Sequence, residues 1–247
     1  IGHFGVDLDT PSTLSKLCAQ LLDSVPDVRF RLGSIEATEV DDLLVDLLST
    51  SGGRLVPHLH MPLQSGADPV LRLMRRWHTR EEYRSRTLEI AAKVQPLGLG
   101  ADVITGFPGE ADGDHAATRA LIEELPYTYL HVFPFSPRSD TVAEGLPDPV
   151  PQRVSGERAK ELREIGQAKG RAYRGSRSGS SASVVPEGNG GTGLTEDYLR
   201  VGVSRAADGA SPRDHPEAAS PIVQGTLRGD ADHLYIDVPR ESASIKA

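Results

Sequence analysis

Polar and turn-forming residues follow four apolar, strand-like stretches of this 247-residue sequence. They are Ser34 and Glu36 after VRFRLG, Gln64 and Ser65 after HLHMPL, residues 105–110 (TGFPGE) after ADVI, and residues 134–138 (PFSPR) after YLHVF. The carboxyl ends of the strands of a parallel α/β sheet meet at one edge, and ligands bind there. We therefore expect a binding site at this edge, although ordinary strand-to-helix turns also favour Gly, Ser and Pro.

The stretch DVITGFPGE, residues 102–110, contains two acids that could act as a catalytic pair. The pattern favours structural roles for both, with Asp102 on a strand and Glu110 capping or positioning the helix that follows. The glycines at 106 and 109 would let the backbone pass close to a ligand, and Pro108 would stiffen the exit from the strand.

His58 and His60 are two residues apart on a predicted strand, so their side chains lie on the same face. A metal pair is conceivable, but no third ligand is evident nearby in the sequence. Histidines that bind substrate or pack inside a barrel are the favoured interpretation.

Several classes of chemistry have no support. The sequence contains no GxSxG elbow, no GxxxxGK[ST] phosphate loop and no HExxH helix. Its single cysteine, Cys18, lies among leucines at helical spacing, which indicates a core thiol. One cysteine permits no internal disulfide, and no segment is long enough to span a membrane, so we expect a soluble cytoplasmic protein.

Alternating helix and strand patterns would position these residues. The periodicity predicts helices over 11–25, 38–50, 67–94 and 112–126, the third with a break near His78, and strands over 28–36, 54–66, 98–110 and 127–138. Four strands are too few to close an eight-stranded barrel, so they fit a partial barrel or an open sheet.

The pattern changes after a Pro- and Gly-rich break over 140–152. A helix follows, then a Ser/Gly/Arg-rich stretch over 174–183, then short strand signals separated by Gly, Asp and Pro turns. We predict an α/β domain over 1–145, a helical and flexible linker over 146–180, and a small all-β domain over 181–247.

The net charge of −8 argues against a uniformly basic nucleic-acid binder. Two stretches are nevertheless basic, with six arginines over 71–86 and eight lysines and arginines over 151–180. They could contact phosphates, and solvated helix faces would show the same composition.

Four strings, in order, resemble the radical-SAM methylthiotransferases: RFRLGSIEATEV, PHLHMPLQSGADPVLRLMRR, DVITGFPGE and YLHVFPFSPRSDT. SIEATEV and YLHVFPFSPR resemble the branch that modifies N6-threonylcarbamoyladenosine beside the tRNA anticodon. GLTEDYLRV resembles the start of the TRAM domain, a small RNA-binding β-barrel. The resemblance covers about residues 1–240 and implies strands three to six of a six-stranded radical-SAM (β/α) barrel, followed by a TRAM-like barrel.

The resemblance also implies a function and site residues. The implied activity is tRNA methylthiotransferase, with S-adenosyl-L-methionine and the tRNA anticodon stem-loop as partners. The residues expected to contact S-adenosyl-L-methionine are Ser34, Glu36, Gln64, Ser65, Ile104, Gly106, Val132 and Phe133. The residues expected to contact tRNA phosphates are Arg75, Arg76 and Arg138.

The sequence departs from the family in its cysteines. The family holds a 4Fe-4S cluster on a CxxxCxxC loop, which is not in this sequence, and IGHFGVD resembles the loop after the family's second barrel strand. We therefore expect a C-terminal part of such an enzyme, lacking its N-terminal region and inactive alone. A ribosomal-protein methylthiotransferase and a module that binds tRNA without catalysis remain as alternatives.

Overall fold

The computed structural model describes residues 4–5, 7–188, 191–204 and 222–238. The chain divides into two compact units, Ile1–Lys169 and Gly170–Ala247. The predicted loop IGHFGVD lies largely outside the described residues, as do residues 205–221 and 239–247 of the predicted β domain. None of the described helices combines the length and the apolar character needed to cross a bilayer.

Six α-helices lie within the described residues: α1 (Leu14–Ser24), α2 (Asp42–Thr50), α3 (Asp68–Leu73), α4 (Arg80–Lys93), α5 (Asp112–Glu124) and α6 (Gln152–Ser176). The helix predicted over 67–94 is broken near His78 as expected, because α4 has its own start. The Thr79 side chain accepts a hydrogen bond from the Glu82 N–H, and the Glu82 carboxylate accepts one from the Thr79 N–H. This capping box satisfies N–H groups that have no partner within the helix.

The first unit contains a parallel sheet of β1 (His58–His60), β2 (Gly98–Thr105) and β3 (Tyr129–Pro134), in that order. The strand predicted over 28–36 is reduced to isolated parallel bridges, which pair Phe30 with Leu55 and Ser34 with His60. The four predicted strand positions therefore lie side by side, in the order expected from the alternating pattern.

The two faces of the sheet have different environments. Leu99, Ala101 and Val103 of β2 are buried in the main apolar core, together with Ile90 of α4 and Leu121 of α5. The alternate residues of β2 lie on the opposite face, because successive side chains of a strand point to opposite sides. We call this opposite face the inner face of the sheet.

The second unit contains a closed five-stranded barrel. Its strands are β4 (Ser181–Glu187), β5 (Thr192–Thr195), β6 (Arg200–Ser204), β7 (Val223–Arg228) and β8 (Tyr235–Asp237), in the order β4-β5-β6-β8-β7. β4 pairs with β7, which closes the barrel around a small apolar core. The prediction of a small all-β fold is confirmed, and the barrel is the form it takes.

The prediction of a flexible linker over 174–183 is wrong. α6 continues to Ser176, and β4 begins only a few residues later, at Ser181. Between them, the buried Arg177 side chain forms ion pairs with Glu196 at 3.0 Å and with Asp197 at 2.7 Å. Small polar residues suggested flexibility, but the buried guanidinium and its two carboxylates fix this segment to the barrel.

Candidate functional site

A groove of about 340 Å³ lies at the carboxyl end of the sheet. It is lined by Gln64, Leu73, Met74, Arg75, Arg76, Ile104, Phe107, Val142, Ala143 and Leu146. Ligand pockets of proteins typically occupy about 300–1,000 Å³ and combine apolar walls with a few polar groups. The groove therefore has the size and the lining of a small-molecule site.

Gln64 is held at the groove by its backbone. Its N–H donates to the Asp102 carbonyl oxygen at 2.8 Å, and its own carbonyl oxygen accepts from the Ile104 N–H at 2.9 Å. It adopts a left-handed conformation with φ of 65°, which is uncommon for a residue with a side chain. Such strained positions persist where the surrounding structure fixes them, and they concentrate at functional sites.

The loop between α3 and α4 brings the basic residues Arg75 and Arg76 to the groove. Arg75, also with a positive φ of 55°, is exposed. Arg76 instead forms an ion pair with Glu36 at 3.1 Å, so two of the predicted residues contact each other. Trp77 follows with 86% of its surface exposed, which is exceptional for an indole ring.

Ser34 and Ser65 do not line the groove. The Ser65 hydroxyl is fully buried, lies 3.3 Å from the Thr118 hydroxyl and accepts a hydrogen bond from the Ala67 N–H. These contacts hold the turn that follows Gln64. Ser34 is exposed and pairs through its backbone with His60.

The structure corrects the interpretation of the GFPGE turn. A Cβ atom on Gly106 would lie 2.4 Å from the Ser155 Cβ atom, so this glycine allows α6 to approach the strand. The buried Glu110 carboxylate accepts a hydrogen bond from the Gly106 N–H and forms an ion pair with Arg158 of α6 at 2.7 Å. The Glu110 side chain thus links the turn to α6. The Asp114 carboxylate instead accepts a hydrogen bond from the N–H of Ala111, the residue that caps α5.

Val132 and Phe133 differ in what they offer to a ligand. The Val132 side chain is buried in the core, and its carbonyl oxygen accepts a hydrogen bond from Arg163 at 2.7 Å. A ligand contact with this carbonyl would have to share it with the guanidinium. Phe133 lies on the inner face and is exposed.

The two basic stretches have different roles. Each of the eight basic residues over 151–180 contacts a carboxylate or a carbonyl oxygen, so none of them presents an unpaired charge. In the first stretch, Arg84 and Arg86 form ion pairs with neighbouring acids. Arg75 and Arg138 are exposed, and neither belongs to an ion pair among the described residues.

The inner face carries a polar cluster of His58, His60, Asp102, Tyr129 and His131, which we call the inner-face cluster. The Tyr129 hydroxyl lies 2.8 Å from His58 Nε2 and 3.1 Å from His60 Nδ1. Asp102 Oδ1 lies 3.1 Å from His60 Nε2 and 3.2 Å from His131 Nδ1. The prediction of one shared face for the two β1 histidines is thereby confirmed.

A glycine makes room for this cluster. A Cβ atom on Gly100 would lie 2.0 Å from the Tyr129 Cζ atom, so the tyrosine ring occupies the space above the Gly100 backbone. Asp102 and His131 were not predicted as neighbours of the β1 histidines, because they are distant from them along the chain. Aligning the two-residue periods of the three parallel strands could have found them.

The residues that the structure describes do not form an iron–sulfur site. Cys18 is the only cysteine of the sequence, and it is buried in the core beside α2. Burial, with a smaller contribution from Asp41, raises the pKa of its thiol. A cluster needs several thiolates, so this chain offers no such ligand set.

No protein-family model matches the chain. Individual relatives do, beginning with the threonylcarbamoyladenosine tRNA methylthiotransferase MtaB of Rickettsia prowazekii. It is 40% identical over 164 residues, which are 66% of this chain and 38% of the relative. MtaB of Bacillus subtilis is 32% identical over 209 residues, 81% of this chain and 46% of the relative. The tRNA-2-methylthio-N(6)-dimethylallyladenosine synthase of Sorangium cellulosum is 44% identical over 131 residues, 53% of this chain and 26% of the relative.

Among solved structures, the chain is similar to coproporphyrinogen III oxidase (HemN) of Escherichia coli, a radical SAM enzyme. The TM-score is 0.50 with 17% identity, over 63% of this chain and 37% of that one. This similarity indicates a radical-SAM type of fold. The chain spans less than half the length of the curated relatives that it matches. Over that part of their length, it is a homologue of these tRNA methylthiotransferases.

Proposed function

We propose that this chain supplies the part of a tRNA methylthiotransferase that faces S-adenosyl-L-methionine and RNA. The modified nucleoside would be N6-threonylcarbamoyladenosine, because the two MtaB relatives, which carry that nucleoside in their names, match 66% and 81% of the chain. The observation that carries the proposal is the groove. It brings Gln64 and Ile104, both expected at the cofactor, together with Arg75, expected at the tRNA.

The groove fits the nucleoside part of S-adenosyl-L-methionine. Ile104 and Phe107 provide apolar surface for a purine, and the Gln64 amide can both donate and accept hydrogen bonds to a ribose or a base. When bound, S-adenosyl-L-methionine supplies the methyl group that this class of enzyme transfers. In the proposal, Gln64 orients the nucleoside, and the apolar wall excludes water from it. The sheet would be strands three to six of the radical-SAM barrel.

The RNA would approach over the loop between α3 and α4. Arg75 presents an exposed positive charge, and phosphate attraction requires no particular base sequence. Trp77 presents an exposed ring two residues later, and unpaired RNA bases stack on such rings. A single-stranded anticodon loop offers both phosphates and unpaired bases. We assign Arg138 to the same surface. Arg76 has a different role in the proposal, because its ion pair holds the Glu36 side chain in position.

The five-stranded barrel of the second unit fits the TRAM-like assignment by its strand number and closure. The exposed arginines among the described residues of this unit, Arg171 of α6 and Arg200 and Arg228 of the barrel, are each paired with an acid. Within the described residues of the second unit, this pairing leaves little free positive charge for phosphates. The proposal therefore places the main RNA contact on the first unit.

Mass spectrometry of tRNA nucleosides tests the function in the source organism. Deleting the gene for this chain should remove the 2-methylthio group from N6-threonylcarbamoyladenosine, and reintroducing the wild-type gene should restore it. Reintroducing a Gln64→Ala version should restore less of it, whereas an Arg153→Ala version, altered at an exposed surface ion pair, should match the wild type. Unchanged tRNA nucleosides would refute the proposal. A lost methylthio group on a small-subunit ribosomal protein would support the ribosomal-protein alternative instead.

A further inference from the structure

Three side chains of the inner-face cluster come from three adjacent parallel strands. His60 lies on β1, Asp102 on β2 and His131 on β3, and the strand register aligns them on one face. Their ligand atoms all lie within 4.8 Å of one another. We propose that His60, Asp102 and His131 bind a divalent transition-metal ion of the Zn²⁺ type. This proposal does not depend on the proposed function.

The distances suit a shared ion. Asp102 Oδ1 lies 3.1 Å from His60 Nε2 and 3.2 Å from His131 Nδ1. Zinc binds nitrogen and oxygen ligands at about 2.0–2.2 Å in a tetrahedron, so two ligand atoms of one ion lie about 3.3 Å apart. These two separations are close to that edge length, and the third, between the ligand atoms of the two histidines, is within 4.8 Å.

Tyr129 provides the outer contact that a metal-binding histidine usually has. Its hydroxyl lies 3.1 Å from His60 Nδ1 and 2.8 Å from His58 Nε2. If the hydroxyl accepts from His60 Nδ1–H and donates to His58, the lone pair of His60 Nε2 points at Asp102 Oδ1. Two electron-rich atoms at that distance are held together by a metal ion or by a proton between them. Hydrogen bonds that fix the tautomer in this way are typical of metal-bound histidines.

The exposure of the three residues leaves the ion accessible. The side chain of His60 is 10% exposed, that of Asp102 28% and that of His131 53%. The site would thus be anchored on its buried side and open beside His131. Two imidazoles and one carboxylate leave at least one coordination position free for water or substrate, and this ligand set suits Zn²⁺ and Fe²⁺ more than Mg²⁺ or Ca²⁺.

The same contacts could instead be a metal-free network. In that arrangement His60 Nε2–H donates to Asp102, and the Tyr129 hydroxyl donates to His60 Nδ1 and accepts from His58. The two arrangements differ in the position of the protons, and metal titration separates them.

The test is Zn²⁺ titration of the full chain after removal of metals with a chelator. Calorimetry should show saturable binding of one ion per chain, and Co²⁺ should give visible absorption bands. His131→Ala removes an exposed ligand without creating a core cavity, and it should abolish both signals. Tyr129→Phe should weaken binding about 10- to 100-fold, as is usual for outer contacts of metal ligands. His233→Ala, an exposed histidine beside Asp230, is the matched control and should bind like the wild type.

Two results would overturn the metal site. One is the absence of saturable Zn²⁺ binding to the wild-type chain. The other is equal affinity of the wild-type and His131→Ala chains, which would mean that the ion binds elsewhere. A variant that loses tRNA modification but binds Zn²⁺ with the wild-type affinity would bear on the proposed function and not on the metal site.

Discussion

The ion pair between Arg158 and Glu110 fixes α6 to the end of β2, and Arg158→Ala is expected to destabilise the first unit strongly. The Arg158 and Glu110 side chains are 8% and 1% exposed, and their charged atoms lie 2.7 Å apart. The substitution would leave the Glu110 carboxylate buried, with the Gly106 N–H as its remaining bonded partner. It would also remove the second ion pair of the guanidinium, with Asp112.

The expected loss follows from the burial. Removing one partner of a buried ion pair costs about 3–5 kcal/mol, because the other charge is left without compensation. In a unit of this size, one kcal/mol lowers the melting temperature by about 2–4 °C. The melting temperature should therefore fall by roughly 6–20 °C. Arg153→Ala is the matched control, because Arg153 lies on the same helix in a pair whose partners are 76% and 61% exposed. Its cost should stay within about 0.5 kcal/mol.

Urea denaturation followed by circular dichroism measures both variants, and hydrogen exchange assigns any loss to the first unit. Equal stabilities of the Arg158→Ala and Arg153→Ala chains would refute the structural role given to Glu110. A Glu110→Gln chain helps to separate charge from shape, because the amide keeps an oxygen for the Gly106 N–H. It should be less stable than the wild type and more stable than the Arg158→Ala chain.

Two other predictions concern the inner face and the loop before α4. Gly100→Ala places a methyl group in the space of the Tyr129 ring, so it should lower the free energy of unfolding by about 1–3 kcal/mol, measured by urea denaturation. Gly113→Ala is the control and should not lower it, because the space at its Cβ is open. Burial, which outweighs the nearby Glu36, lowers the pKa of His78 below its ordinary value of 6.5. His78 is therefore protonated at a lower pH in the folded chain than in the unfolded chain. Its contribution to stability is present above pH 6.5 and is lost as the pH falls below that value. Urea midpoints at about pH 7.5 and about pH 5.5 should differ less in a His78→Phe chain, and an unchanged difference would contradict this reasoning.

The sequence predicted the fold well where local patterns and the global structure agree. Helical periodicity and alternating strands placed the main elements, and the break near His78 followed from the residues that cap α4. The flexible linker failed because composition does not show a long-range partner. Arg177 is ordered by Glu196 and Asp197, about twenty residues away along the chain.

The candidate site was predictable only in part. Gln64 and Ile104 were expected at one edge because parallel strands end together, and both line the groove. Arg75 lines it too, which was not predicted because it lies on the loop after α3. Ser65 was less accessible than its position suggested, because its hydroxyl bonds the following turn. The glycine at 106 indicated a close approach, but the approaching group is Ser155 of α6.

The exposed Trp77 allows the most direct test of RNA binding over the loop between α3 and α4, because it is the only tryptophan of the chain. An anticodon stem-loop RNA titrated into the protein at low salt should quench its fluorescence saturably, and added salt should weaken binding. Arg75→Ala should reduce that salt dependence, and Trp77→Ala should lower the affinity by about 1–3 kcal/mol, the usual value of one stacked base. RNA that binds without changing the emission, or no binding at low salt, would contradict the placement of RNA over the loop between α3 and α4.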